Sequence, residues 1–218
     1  MDRVAVPARG QRYLYQQYMD TSLTGGLAAY DPEQPCPGNV CKPVWQTKAS
    51  PGGPAQLGPD GTVYMTGRYD NPYITAAAID GTTGALKWEA SAFGMNPALL
   101  AIAGDSVFAA GHASAPGLGV EAGLVALRAE DGSVRWRSSG LDVATGVAVG
   151  GDLVFVTGRT DSAGSEYAVQ AYAADGCGAE ECAPLWSSSV DGWVSTPVVG
   201  SGRLYVLTAS GLSAYSAT

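Results

Sequence analysis

Residues 78–88 read Ala78-Ile79-Asp80-Gly81-Thr82-Thr83-Gly84-Ala85-Leu86-Lys87-Trp88, and an alanine followed ten positions later by a tryptophan returns at Ala126 and Trp136. Outward from there, the alanine word recurs as Ala29-Tyr30-Asp31, Ala171-Tyr172-Ala173 and Ala214-Tyr215-Ser216. The steps from Ala29 through Ala78, Ala126 and Ala171 to Ala214 are 49, 48, 45 and 43 residues. An apolar–aromatic–apolar word, with Gln16 as its one polar member, precedes each alanine: Leu14-Tyr15-Gln16, Val63-Tyr64-Met65, Val107-Phe108-Ala109, Val154-Phe155-Val156 and Leu204-Tyr205-Val206. Tryptophan follows the first four at Trp45, Trp88, Trp136 and Trp186. Three words in fixed order at a near-constant period mark an internal repeat.

Each unit divides into four short strands. In the second unit these fall at 54–57, 62–66, 74–79 and 85–89, with Gly58-Pro59-Asp60-Gly61 as the first turn. The proline presets φ for that turn, and the strands carry the alternation and β-branched or aromatic bias of half-buried sheet. Pro7, Pro54, Pro97 and Pro197 stand near the start of the first strand in their units, with Gly146 in the remaining one. Proline lacks an amide donor, so that strand is a sheet edge.

Four-stranded antiparallel units of this length are the blades of a β-propeller. One such sheet cannot bury both faces alone, so blades stack about an axis. A β-sandwich would have no reason to repeat alanine and tryptophan in register. The expected architecture is all-β, one propeller domain with about five units at 4–47, 53–91, 96–138, 144–189 and 194–218. Four units are complete and the fifth lacks its outer strand, so the chain is either a small closed ring or an arc of a larger one.

Composition agrees. Of 218 residues, 46% are hydrophobic and 15% charged, which excludes a disordered tail and leaves apolar surface for a core. Thirty glycines and thirteen prolines disfavour a helix bundle. The net charge of −8, without a basic run, argues against nucleic acid and anionic lipid as partners. No apolar stretch reaches bilayer length, so membrane insertion is not expected. The start, Met1-Asp2-Arg3-Val4-Ala5-Val6-Pro7, lacks the apolar core of a signal peptide.

The pattern Ala78-x-Asp80-x-x-Thr83-Gly84-x-x-x-Trp88 resembles the tryptophan-docking motif of pyrroloquinoline-quinone-like (PQQ-like, BamB-like) propellers. The third unit keeps Ala126, Gly132 and Trp136, with Arg128 for the aspartate and Asp131 for the threonine. The resemblance implies that Trp45, Trp88, Trp136 and Trp186 pack on a neighbouring blade, with Ala29, Ala78, Ala126 and Ala171 as seats. These are structural residues. Quinone-dependent dehydrogenases of that superfamily have eight blades, a calcium ion and typically vicinal cysteines. This chain has no adjacent cysteines and about five units, so no cofactor is expected.

Units one and four lengthen the loop between alanine and tryptophan, and each insertion holds a C-x4-C pair ending four residues before its tryptophan. Placed across the hairpin of the last two strands, the pairs predict disulfides Cys36–Cys41 and Cys177–Cys182, each worth up to roughly 2 kcal/mol. A four-cysteine zinc site would need two distant blades to meet; no metal site is expected. Local disulfides point to an oxidising compartment, periplasmic or secreted, with a leader removed ahead of Met1. Glu180-Glu181 reads as the solvated tip of its loop.

Successive blade loops alternate between the two ends of the disk. The loops between second and third strands hold the unusual polar residues: Arg68-Tyr69-Asp70-Asn71, the stretch from His112 to Glu121, and Arg159 and Asp161 through Glu166. Trp193 joins them from the last connection between blades. Varied loops on a rigid scaffold are where binding is expected. No Gly-x-Ser-x-Gly, His-Glu-x-x-His or calcium loop occurs, and His112 is the only histidine, so no catalytic residue is named. The expected function is a non-catalytic, extracytoplasmic scaffold for a protein or small ligand. The alternatives are a fragment of a quinone-dependent alcohol or sugar dehydrogenase, and a sensor ectodomain.

Overall fold

A computed structural model describes residues 4–5, 12–19, 25–47, 55–68, 71–91, 95–113, 123–138, 140–161 and 166–216. Blade one comprises β1 (Val4–Ala5), β2 (Leu14–Met19), β3 (Gly25–Tyr30) and β4 (Trp45–Thr47). Blade two comprises β5 (Gln56–Leu57), β6 (Thr62–Arg68), β7 (Asn71–Asp80) and β8 (Leu86–Ala90). Blade three holds β9 (Met95–Ala103), β10 (Ser106–Ala113), β11 (Gly123–Arg128) and β12 (Val134–Ser138). Blade four holds β13 (Val143–Gly150), β14 (Leu153–Arg159), β15 (Tyr167–Ala173) and β17 (Trp186–Val190), with β16 (Glu181–Cys182) inserted. Blade five has three strands, β18 (Val198–Gly200), β19 (Arg203–Thr208) and β20 (Gly211–Ser216). Within each blade the strands meander antiparallel, and no pairing among the described residues joins the first blade to the fifth. The described residues form an open arc of blades.

There is no single core. Four apolar clusters lie between successive blades, and the repeated sequence word explains how. In β6, Val63 and Met65 pack with Tyr15 and Leu27 of blade one, whereas Tyr64 packs with Val107 and Val125 of blade three. In β10, Val107 and Ala109 face back to blade two while Phe108 and Ala110 face on to blade four. In β14, Val154 and Val156 face back and Phe155 faces on to Leu204 and Val206. The period-2 alternation of a strand therefore sends small apolar residues to the preceding interface and the aromatic to the next.

The tryptophans join that forward face. Trp45, Trp88 and Trp136 lie with centroids 5.9, 5.9 and 6.1 Å from Tyr15, Tyr64 and Phe108 of their own blades. Each indole N–H donates to a carbonyl in the last turn of the following blade: Trp45 to Gly81 at 3.0 Å, Trp88 to Ala129 at 2.9 Å, Trp136 to Ala174 at 3.2 Å. A methyl group at Gly84, Gly132 or Gly176 would stand 2.5–2.6 Å from these rings, so glycine forms the surface that each indole meets. The resemblance implied alanine there. Ala29, Ala78, Ala126 and Ala171 instead pair in register with the tryptophan of their own blade.

The Asp80 carboxylate holds the turn that presents this seat. It accepts from Thr82 N at 2.9 Å, Thr83 N at 2.8 Å and Thr83 Oγ1 at 3.0 Å, and Gly84 N closes on Asp80 O. The Thr83 N–H and hydroxyl hold the Asp80 carboxyl below its ordinary range, and Arg135, 2.6 Å away, does the same for Asp105. A carboxylate with a depressed folded pKa adds stability above its unfolded value and loses it as pH falls through the folded one. Stability is therefore expected to be level near neutrality and to decline below about pH 4, with a shallower decline in Asp80→Ala. Melting curves from pH 3 to 7 check this.

Both expected cysteine pairs are joined, Cys36–Cys41 and Cys177–Cys182, with Cα atoms 4.3 and 5.7 Å apart. Two features depart from expectation. Blades three and four share one nine-stranded sheet, linked where His112 pairs with Val143 and where β16 runs parallel beside β12. The Glu180-Glu181 segment is thus not a free tip. Its side chains are exposed, but its backbone is docked on the outer edge of blade three.

Candidate functional site

The connections between second and third strands and those between blades share one end of the arc. In blade four the connection ahead of β13 is tied to that end: Asp142 N donates to Arg159 O at 2.9 Å, and Gln170 Nε2 donates to Gly140 O at 3.2 Å. Gln170 is buried, and its Oε1 accepts from Tyr172 Oη at 2.6 Å. Burial pushes the Tyr172 phenol up to about 12, so it stays a neutral donor at every physiological pH. This buried pair fixes the floor under the loop.

The described ends of the connection from β14 to β15 are held together. Arg159 and Tyr167 pair in register, Thr160 N donates to Glu166 O at 3.0 Å, and Glu166 N donates to Asp161 Oδ1 at 3.1 Å. The Asp161 carboxylate thus ties the two described ends of this connection, where Arg159 and Asp161 are half-buried and Glu166 is exposed.

Trp193 lies on the next connection, between β17 and β18, and is 50% exposed. Its neighbours anchor it. Val194 bridges to Thr208 at the end of β19, Ser195 N donates to Leu207 O at 2.9 Å, and Thr157 Oγ1 reaches from blade four to Ser195 O at 3.0 Å. A large ring held in water on a strapped connection is an available contact surface.

The other expected residues are placed less completely. Arg68 and Asn71 face each other across the hairpin of β6 and β7, and Tyr69 and Asp70 lie outside the described residues. The stretch 114–122 also lies outside them. His112, read from the sequence as a loop residue, belongs to β10, where it pairs with Asn96 and with Val143 of blade four. The strand persists because Gly111 and His112 find partners on β9 beyond a bulge.

A recurrence that the alanine and tryptophan words pass over also marks this end. Thr66-Gly67-Arg68-Tyr69-Asp70 and Thr157-Gly158-Arg159-Thr160-Asp161 share Thr-Gly-Arg-x-Asp at the end of the second strand. In blade four three of the letters have a structural reason: Thr157 straps Ser195, Gly158 admits the Val143 carbonyl where a side chain would collide, and Asp161 accepts from Glu166 N.

Among the described residues no three carboxylate, imidazole or thiol groups converge as a metal site would require, and all four cysteines are in disulfides.

Comparison with known proteins follows the same line. A family model described as outer membrane protein assembly factor BamB matches residues 24–138 and 120–218. Among solved structures, BamB from Moraxella catarrhalis superposes with a TM-score of 0.62 at 16% identity, over 95% of this chain and 55% of that one. The computationally designed Ika8 protein gives 0.68 at 9% identity, over 98% and 58%. Sqt1 from Saccharomyces cerevisiae gives 0.66 at 11% identity, over 94% and 55%. The chain thus spans little more than half the length of each. At these identities the likeness is one of fold. No curated protein matches in sequence.

Proposed function

The chain belongs to the family of the outer membrane protein assembly factor BamB, the PQQ-like propellers, and from that premise we propose that it is a non-catalytic, extracytoplasmic scaffold that binds another protein. The contact surface is the end of the arc carrying Arg159, Asp161, Glu166 and Trp193, extended by Arg68, Tyr69, Asp70, Asn71 and His112. The observation that carries the reading is Trp193, half exposed on a connection strapped to two blades. Rigid display of an exposed aromatic suits protein contact, because little side-chain entropy is lost on binding.

The family and the two disulfides support an oxidising, extracytoplasmic compartment. No helix among the described residues is long and apolar enough to cross a membrane. The whole chain acts as one propeller domain with blades at 4–47, 53–91, 96–138, 144–189 and 194–218, and the inter-blade indole contacts act as its docking joints.

The test is a paired capture from the extracytoplasmic fraction of the source cells. Wild-type protein and a Trp193→Ser/Arg159→Glu variant of unchanged circular dichroism are cross-linked and compared by mass spectrometry. A partner retained by the wild type and reduced at least tenfold by the variant is expected. Equal retention would place the contact elsewhere. The dehydrogenase alternative is checked by adding pyrroloquinoline quinone with Ca²⁺ and an electron-accepting dye. Retained chromophore and dye reduction would overturn the non-catalytic reading.

A further inference from the structure

We propose that the outer edge of β12 is a strand-accepting site for an acidic extended segment, and that the Cys177–Cys182 loop of the next blade occupies it in this structure. The site lies on the outer rim and does not rest on the loop-end reading above.

The outer strand of a propeller blade has one edge without a partner from its own meander. On β12 that edge is filled from blade four: β16 runs parallel to it, Glu181 beside Arg137 and Cys182 beside Ser138. Arg137 N donates to Glu180 O at 2.8 Å, and Arg137 Nε stands 3.9 Å from Glu180 Oε1. The charges complement one another. Twelve basic residues serve a chain of net charge −8, yet two of them, Arg135 and Arg137, fall within five residues of β12. Arg135 is held by Asp105, and the segment laid against Arg137 is Ala179-Glu180-Glu181.

Blade one provides the comparison. Its Cys36–Cys41 loop has the same spacing and the same offset from its tryptophan. There Val40 and Cys41 form no strand, and Val40 is 68% exposed, whereas Cys182 is 2% exposed among Trp136, Leu141 and Tyr172. Closing a C-x4-C ring therefore does not by itself make a strand. The edge of β12 does, by pairing with an acidic backbone of matching register.

The pairing covers only two residues of β16, so its hold depends on the ring that confines it. Cys177 is the exposed sulfur, and Cys177 N donates to Cys182 Sγ at 3.0 Å. The thiolate of a dithiol reductant attacks Cys177 Sγ and releases Cys182. The second thiol of the reductant then attacks the mixed disulfide. The reductant ends as its own disulfide, and Cys177 and Cys182 end as two thiols. Released from the ring, β16 loses its register and the edge of β12 accepts a competing acidic strand.

The test uses the full chain with Cys36→Ser and Cys41→Ser, so that one disulfide remains. Exchange of the Arg137 amide is followed before and after dithiothreitol, and at least tenfold acceleration is expected on reduction. The binding probe is a fluorescein-labelled peptide, acetyl-Gly-Ala-Glu-Glu-Ser-Ala-amide, read by anisotropy. It is expected to bind the reduced chain at least tenfold more tightly than the oxidised chain, and more tightly than its Lys-Lys counterpart. Arg137→Glu should abolish that binding. A Glu180→Lys/Glu181→Lys variant with its disulfide intact should also accelerate Arg137 exchange, which keeps the test decisive if reduction unfolds the protein. Unchanged Arg137 exchange in both the reduced chain and this variant would overturn the proposal, as would equal binding of acidic and basic peptides. The Trp193→Ser/Arg159→Glu variant should leave these readouts unmoved, so the two readings fail separately.

Discussion

Replacing Trp136 with alanine is expected to destabilise the protein by about 3–5 kcal/mol, the range for truncating a fully buried large aromatic. Trp136 is 1% exposed, stacks at 5.8 Å on Tyr172 of blade four, and donates its N–H across the interface to Ala174. Truncation would leave a cavity between two sheets and an unmade hydrogen bond at Ala174 O. Trp186 is the internal control. It is 38% exposed and meets Tyr215 edge-on at 5.1 Å, so its truncation should cost about 1 kcal/mol. Urea midpoints of the two variants against the wild type measure the difference. Equal losses would mean that the indoles are not what holds successive blades together.

A methyl group added at Gly132 should cost about 2–4 kcal/mol, from backbone strain plus a disrupted contact. Gly132 has φ of +73°, and its added carbon would lie 2.5 Å from Cε3 of Trp88. Gly104→Ala separates the two contributions. Gly104 also has positive φ, +55°, but nothing lies within 4 Å of the added carbon. Strain alone should cost it about 1 kcal/mol. The excess at Gly132 measures the indole's seat, and a blue shift or quench of Trp88 emission should accompany it.

Most of the architecture was legible because it is periodic. Strand period and turn chemistry located β5 through β8 to within a few residues, and the first four aromatic words supplied Tyr15, Tyr64, Phe108 and Phe155, which face the next blade. The spacing of each cysteine pair was enough for the disulfides. What escaped reading were contacts between units that one repeat cannot encode. The seat of Trp88 is six residues beyond an alanine in a different blade, and glycine in a turn reads first as a turn residue. The docking of β16 depends on Arg137, forty-odd residues upstream, so its loop looks like a solvated tip until the blades are stacked. His112 looks like a loop residue because the strand that extends it, β9, begins well before it in sequence. At the loop end, Thr-Gly-Arg-x-Asp was present twice in plain view, but its purpose depends on Ser195 from a connecting segment and on Val143 from the paired strand β13.

The central claim is that blades are joined by indoles whose N–H groups are bonded to the following blade. Hydrogen exchange of the five tryptophan Nε1–H groups, read one by one in a nitrogen-15-labelled sample, tests it directly. Trp45, Trp88 and Trp136 should exchange orders of magnitude more slowly than Trp193, which stands half in water. Five indoles exchanging at one common fast rate would contradict it.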